Sequence, residues 1–354
     1  MPDQQPEYLQ FGGMAVIEGI MMRSPKFWSV ACRTPNGHII VKTEPLEQTW
    51  IGRQQWLKKP FLRGTLALLD TMALGHRAMR FASDLQMDDR FMSSEMKAEA
   101  EAAAAKKGKK HEPQAAATTT AITIAILVSL VIGFMIFDVL PEAIAQFIKS
   151  KSGIHNTWVN AIAEVVKLVL FVGYLALIRR MPAILEVFKY HGAEHQAINT
   201  MEARMPLTPE NCLLQTRLHP RCGTNFAIMV IIIGFLVFIP IPRDLFLPHD
   251  APNFLIVIVR MLVKIAVLPV VAGISYEIIR AAGKAKDQRW VNILLKPGLM
   301  TQFITTEPAE LKHTEVAVAA LEAVETAEKD GVLTNTDVND PTLHVGFVPA
   351  PAQG

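Results

Sequence analysis

The sequence predicts an α-helical polytopic membrane protein of about four transmembrane helices, with a small cytoplasmic α+β N-terminal region built from a β-hairpin and an amphipathic helix. Three observations lead there. Four apolar stretches, about 121–140, 158–178, 226–242 and 254–279, each approach the roughly 20 residues needed to cross a bilayer. Lysine and arginine crowd the connection 179–225 and recur after the last stretch at Arg280, Lys284, Lys286 and Arg289, whereas the other two connections offer only Lys149, Lys151 and Arg243. The positive-inside rule then puts both termini and the central connection in the cytoplasm. Ahead of the first stretch, strand-like and helix-like patterns alternate with turn signals.

Within residues 1–95, segments 14–24 and 28–45 read as strands, and Pro35-Asn36-Gly37 supplies a hairpin turn, because Asn-Gly takes the positive backbone angles such turns require. From 60 to 85 the pattern becomes helical, with Leu62, Leu66, Leu69, Met72 and Ala73 near one face. Arg63, Arg77 and Arg80 fit either an interfacial helix on anionic lipid or a helix packed on the hairpin. Residues 96–120, rich in Ala, Lys and Glu, read as a tether. Two spans occupy 121–179, the cytoplasmic connection 180–225, and two more spans 226–279. A cytoplasmic helical region follows over 280–327, in which 315–327 is expected to form an amphipathic helix capped by hydroxyl side chains, with Thr305 and Thr306 upstream. The tail 328–354, rich in Asp, Asn and Pro, is expected to be disordered.

The 354 residues are 51% hydrophobic and carry a formal net charge of +2, so charge gives no reason to expect a nucleic-acid partner. The N-terminus is polar and shows no secretory signal. Cysteines facing a reducing cytoplasm are not expected to form disulfides. Cys222 reads as a thiolate ligand, and Cys32 and Cys212 as incidental.

The chemistry concentrates in the central connection. His191-Gly192-Ala193-Glu194-His195 is followed by His219-Pro220-Arg221-Cys222. On a helix, histidines four apart share a face, and His-x-x-Glu-His is the inverted zinc-hydrolase order, in which the glutamate is a general base and not a ligand. His219 and Cys222, three apart on a turn stiffened by Pro220, form a second claw. A mixed imidazole and thiolate set suits a divalent transition metal, zinc best. Four protein ligands would make a closed structural site, and three plus water a catalytic one.

Charges also enter the apolar stretches: Glu164 and Lys167 in the second, Arg260 and Lys264 in the fourth. Counted at about 1.5 Å per residue from the non-cytoplasmic ends, Glu164 and Arg260 reach nearly the same depth and are expected to pair. Lys167 and Lys264 would share a depth as well, and their repulsion needs a water-filled cavity or opposite facings.

Residues 12–25 (GGMAVIEGIMMRSP), Leu62-Arg63-Gly64, residues 190–195 (YHGAEH) and residues 219–224 (HPRCGT) together resemble the YqhQ-like family of bacterial membrane proteins, in patches from about residue 11 to residue 325. The resemblance implies a multi-pass protein of the bacterial inner membrane and a metal-dependent enzyme, but supplies no reaction. It also adds weight to Glu18 and Arg23. A glutamate between Ile17 and Gly19 in an apolar strand must be paired, solvated or functional. Placing the hairpin over the metal connection would make Glu18 a second carboxylate or fifth ligand, whereas a salt bridge to Arg23 or Arg63 is its plain alternative. Glu277 is a weaker candidate for that role.

The reading that follows is a cytoplasm-facing membrane metallohydrolase. His191, His195 and either His219 or Cys222 would hold the metal, Glu194 would act as base, and Arg221 or Arg23 would stabilise negative charge. Its expected partners are membrane lipid, a substrate at that surface and a second copy of the chain. The alternative is a membrane scaffold or assembly factor with a structural metal, and the third is a transporter, which with four spans would need to oligomerise.

Overall fold

A computed structural model describes residues 11–46, 62–88, 90–91, 124, 128–129, 131–242, 246, 252–284 and 289–336. The expected 96–120 tether lies outside them. Four strands, β1 (Gly12–Val16), β2 (Gly19–Arg23), β3 (Phe27–Arg33) and β4 (Ile39–Pro45), form one antiparallel meander in the order β1-β2-β3-β4. The segment 14–24, expected as one strand, is therefore itself a hairpin, β1–β2, ahead of the expected one. The predicted turn at Pro35-Asn36-Gly37 is present, with Gly37 at φ 91° and its N–H donating to the Thr34 carbonyl at 2.8 Å. The other break falls at Ile17-Glu18, where Glu18 adopts φ 49°, a left-handed conformation uncommon outside glycine.

Alternation along the strands buries both faces of this sheet. Ile20, Met22, Ala31, Ile39 and Val41 point to one side, and Met21, Val30, Cys32 and Ile40 to the other. On the second side lies α1 (Leu62–Gln86), through Leu74, Ala78, Ala82 and Leu85. The packed-on-hairpin alternative thus holds, but on a different stripe from the one expected: Leu69 and Met72 are 49% and 61% exposed. Two alanines give the buried stripe little hydropathy but let the helix approach closely, which a count of large apolar residues misses. Arg77 on this helix stacks 5.0 Å from the Trp28 ring and pairs with Glu44.

Among the described residues, three helices are long and apolar enough to cross a membrane: 131–152, which passes through a π-helical turn (Met135–Val139) into α2 (Leu140–Ser152); α3 (Asn156–Ile178); and 258–281 within α7 (Asn253–Lys284). The first of these runs on past the expected end at residue 140. Three further helices, α4 (Pro182–Glu202), α5 (Pro209–Leu213) and α6 (Gly223–Phe238), separate α3 from α7. The third expected span is α6, whose 16 residues rise about 24 Å against a hydrocarbon core of about 30 Å. Beyond its end the Asn160 amide on α3 donates to the carbonyls of Ile239 and Ile241, both at 3.0 Å.

The charged residues of the apolar helices meet, though not in the expected pair. Lys167 and Lys264 converge on a single oxygen of Asp138, at 2.7 and 3.2 Å, and Glu164 lies 3.3 Å from Lys264 and 3.8 Å from Lys167. Arg260 donates to Asn160 at 3.0 Å and lies 4.0 Å from Glu142. Asp138 and Glu142 come from the first helix, beyond or near the end assigned to it from the sequence. They alter the partnering: a shared carboxylate answers the repulsion between the two lysines.

The C-terminal part of the described chain is α8 (Arg289–Thr305) and α9 (Leu311–Asp330). α9 is buried along most of its length, from Val316 through Leu321 to Val324, between the first face of the sheet and α4. Its cap is not a hydroxyl: Glu310 and His313 form a reciprocal capping box, while Thr305 and Thr306 close α8. Contrary to the expected disorder from residue 328, the helix continues to a left-handed Gly331 cap, and Thr334, Asn335 and Thr336 then bond along the outer edge of β4.

Candidate metal centre

α4 carries the first motif. It begins at Pro182, a residue pre-set for the first helical turn, and buries Tyr190 and the run from Gly192 to Ile198. Gly192 is required by a close approach, since a Cβ there would collide with the carbonyl of Glu307, whose own N–H donates to Phe188 at 2.9 Å. Helical spacing stacks His191 and His195 with ring centroids 4.4 Å apart.

The second motif lies in the turn ahead of α6 and is held by amide side chains. Gln196 donates to the Gln215 carbonyl (3.1 Å), Asn199 to Thr216 (2.7 Å) and Leu218 (3.1 Å), and Asn225 to Pro220 (2.6 Å). Gln302 on α8 both accepts from the His219 N–H and donates to its carbonyl, each at 2.8 Å. So braced, Cys222 becomes the N-cap of α6, its sulfur accepting the Thr224 N–H at 3.4 Å.

One donor atom each from His191, His195 and Cys222 lies within 4.8 Å of the others. The tautomers follow from backbone contacts. His191 Nδ1 faces the Thr305 carbonyl at 2.8 Å and His195 Nδ1 the Arg217 carbonyl at 2.6 Å, so each Nδ1 is the donor and each Nε2 keeps its lone pair. His191 Nε2 is 3.1 Å from Cys222 Sγ, near the spacing of about 3.5 Å that an imidazole and a thiolate take on one tetrahedral zinc. His195 Nε2 is buried without a hydrogen-bond partner, as are Glu194 Oε2, Arg217 Nη1, His219 Nε2 and Arg221 Nε. Arg217 Nη1 and His219 Nε2 still face carboxylates, of Glu307 at 3.9 Å and Glu202 at 3.6 Å, but His195 Nε2 and Glu194 Oε2 need an explanation, and an ion is one of the standard ones. The chemistry of the donor set fits a transition metal.

The electrostatics agree with a thiolate. Burial opposes ionisation of Cys222, but the neighbouring imidazoles outweigh it and hold the thiol well below its usual range. Burial likewise opposes charge on His191, yet the sulfur and Glu194 lift it to about 9, so without an ion a proton on Nε2 bridges to the sulfur, and a metal would take that proton's place and use the Nε2 lone pair of the neutral ring. Burial raises Glu194, so this carboxyl is an improved base; the Gly13 N–H bonds it from β1. Gly13 must lack a side chain, because a Cβ would stand 2.8 Å from the Glu194 carboxyl.

Of the expected residues, His191, His195, Cys222 and Glu194 come together. His219 stands one step back, its ring 5.7 Å from that of His195 and its Nε2 3.6 Å from Glu202. Arg221 binds the same Glu202 carboxylate. Glu18 and Arg23 have partners of their own outside the three clustered donors. Glu18 accepts from the Tyr190 hydroxyl at 3.0 Å, because it turns the β1–β2 hairpin at the opposite end from Gly13, and Arg23 pairs with Asp70 of α1 at 2.7 Å. Glu277 lies on α7, outside the three clustered donors. Glu202 was open to discovery, being seven residues after His195 and so on the same helical face. Gln302 and Thr305, more than 100 residues along the chain from His195, carried no such signal.

A family profile described as "Protein of unknown function (DUF1385)" matches residues 59–327, and the chain belongs to that family. The uncharacterized protein YqhQ of Bacillus subtilis (strain 168) is 31% identical over 311 residues, which cover 87% of this chain and 90% of that protein. No solved structure matches.

Proposed function

We propose that the chain is an integral-membrane metal-dependent enzyme, a hydrolase by its residue set, with His191, His195 and Cys222 as ligands of a divalent transition metal, zinc best. The observation that carries this reading is the pair of histidines whose Nδ1 atoms are fixed by backbone carbonyls, leaving both Nε2 lone pairs directed away from those bonds and His195 Nε2 buried without a partner. Three protein ligands are the catalytic pattern, and a metal so held would supply Lewis acidity and acidify water. Glu194 stands next to the ligands without being one of them, and its buried, unpartnered Oε2 is the proton acceptor. Arg221, one residue before Cys222, is the cation nearest in sequence to the ligands. Lysine and arginine placement supports a cytoplasm-facing site with both termini on that side. A substrate presented at the lipid surface suits that location, and a second copy of the chain is an allowed partner.

A structural metal in a membrane scaffold is the second reading, favoured by burial: His195 is 0% and Cys222 7% exposed. Glu194→Gln separates the two. It is isosteric and leaves the ligands in place, so the enzyme reading expects metal content to stay and complementation to be lost. Full complementation with metal retained would leave the hydrolase reading without its base.

A further inference from the structure

α8 is apolar on its outside and polar on its inside. Helical spacing puts Ile293, Met300 and Phe303 on one face, 72%, 59% and 51% exposed, and Thr301, Gln302 and Thr305 on the other, all buried. In water the sorting runs the other way, because apolar groups leave the solvent and polar groups stay in it. An apolar stripe turned outward over a buried polar face is what an apolar surrounding favours. Lys296 shares the outer face, and its stem is long enough to carry the amine past its apolar neighbours to water.

The neighbours of α8 identify that surrounding. The helix packs on α6 and reaches α3 and α7. Gly298 lies so close to Asn225, in the first turn of α6, that a Cβ would collide, and Val291 and Leu295 cluster with Ile279 of α7. α3 and α7 are themselves apolar on the outside, with Val169, Leu177, Leu262 and Ile265 exposed. Depth is marked at the C-terminal end of α8. Arg179, the residue after α3, pairs with Glu307, two residues after α8, and the Arg217 guanidinium lies 5.9 Å from the Phe303 ring. Basic residues just past a span mark its boundary with water. We infer that α8 is an interfacial membrane helix on the metal-centre side of the bilayer, with Ile293, Met300 and Phe303 among the acyl chains and Arg179 and Arg217 at the level of the phosphates. The inference rests on the reading of α3 and α7 as membrane spans, and it moves this helix out of the cytoplasmic region expected over 280–327. Its inner face braces the metal site, since Gln302 holds the His219 backbone and the Thr305 carbonyl meets His191 Nδ1. The metal centre therefore stands one helix diameter, about 10 Å, from lipid.

A nitroxide on Met300→Cys in the full-length protein, reconstituted in vesicles of phosphatidylcholine and phosphatidylglycerol, tests this; Cys32, Cys212 and Cys222 are buried. Collision with oxygen should exceed collision with a water-soluble nickel chelate, as at Val169→Cys on α3, whereas at Val332→Cys, past the end of α9, nickel should win. Nickel dominance at Met300 with oxygen dominance at Val169 would overturn the inference. So would exclusion of both reagents from Met300, which would mean that a second copy of the chain covers the stripe. Nickel dominance at Val169 would instead remove the spanning reading beneath the inference, so the two failures are told apart. A phospholipid with a photoreactive acyl chain gives a check on the unmutated protein. It should label the peptide holding Met300 and Phe303, and loss of that label while α3 is labelled would also overturn the inference.

Discussion

The His-His-Cys cluster and the charged network of the apolar helices are both built from polar side chains taken out of water, yet they close in different ways. In the network three carboxylates, Asp138, Glu142 and Glu164, stand among three cations, Lys167, Arg260 and Lys264, and the pairs lie within 2.7 to 4.0 Å. Its charges balance three against three among its own members, although Glu164 Oε1, like atoms of the cluster, is buried without a hydrogen bond and is met only by the ion pair with Lys264 at 3.3 Å. The cluster places two imidazole lone pairs and a sulfur in one small volume, with His195 Nε2 left unmatched. Burial is therefore uninformative by itself, and whether opposite charges answer one another internally is what separates a structural network from a ligand site.

The comparison breaks most visibly if a ligand is removed. His195→Ala should take the metal from about one per chain to background, measured by elemental analysis, with the sheet and helices intact by circular dichroism. His219→Ala should keep the metal and weaken its affinity by only about tenfold, because that ring acts from behind the ligands. In the network the loss should appear as stability. Asp138→Asn takes the negative charge from the oxygen that Lys167 and Lys264 share and should cost about 3 kcal/mol, read from unfolding in detergent, whereas adding Lys167→Met should recover part of it. Gly192→Ala should cost about 2 kcal/mol, since the Glu307 backbone must move to admit a methyl group.

How much of this could be read from the residues depends on the range of the interaction. The Pro35-Asn36-Gly37 turn and the His191–His195 face are local, set by backbone preference and by helical period, and both are present. The approach of Cys222 to that face was legible only as a second motif, with its sulfur and His219 equally eligible. What chooses between them is Gln302, which fixes the His219 backbone from a helix far along the chain. Asp138 lies inside the expected span 121–140 and was passed over as a single charge in an apolar run, whereas Glu142 was missed because an apolar count stops near residue 140 while the helix runs on to Ser152. α9 was read as amphipathic, and its alanines hid a helix buried between the sheet and α4. Glu18 drew a catalytic reading from its charge in an apolar strand, and what the residue pattern did not show is that a positive φ turns the chain there and that the Tyr190 hydroxyl donates to its carboxylate.

The central claim is that His191, His195 and Cys222 share a metal. X-ray absorption at the metal edge of the purified wild-type protein addresses it directly. The expected spectrum has two nitrogen scatterers at about 2.0 Å and one sulfur at about 2.3 Å, with the sulfur contribution lost in Cys222→Ser. A protein purified without chelator that holds no metal above background, or a bound metal with no sulfur in its shell, would contradict it.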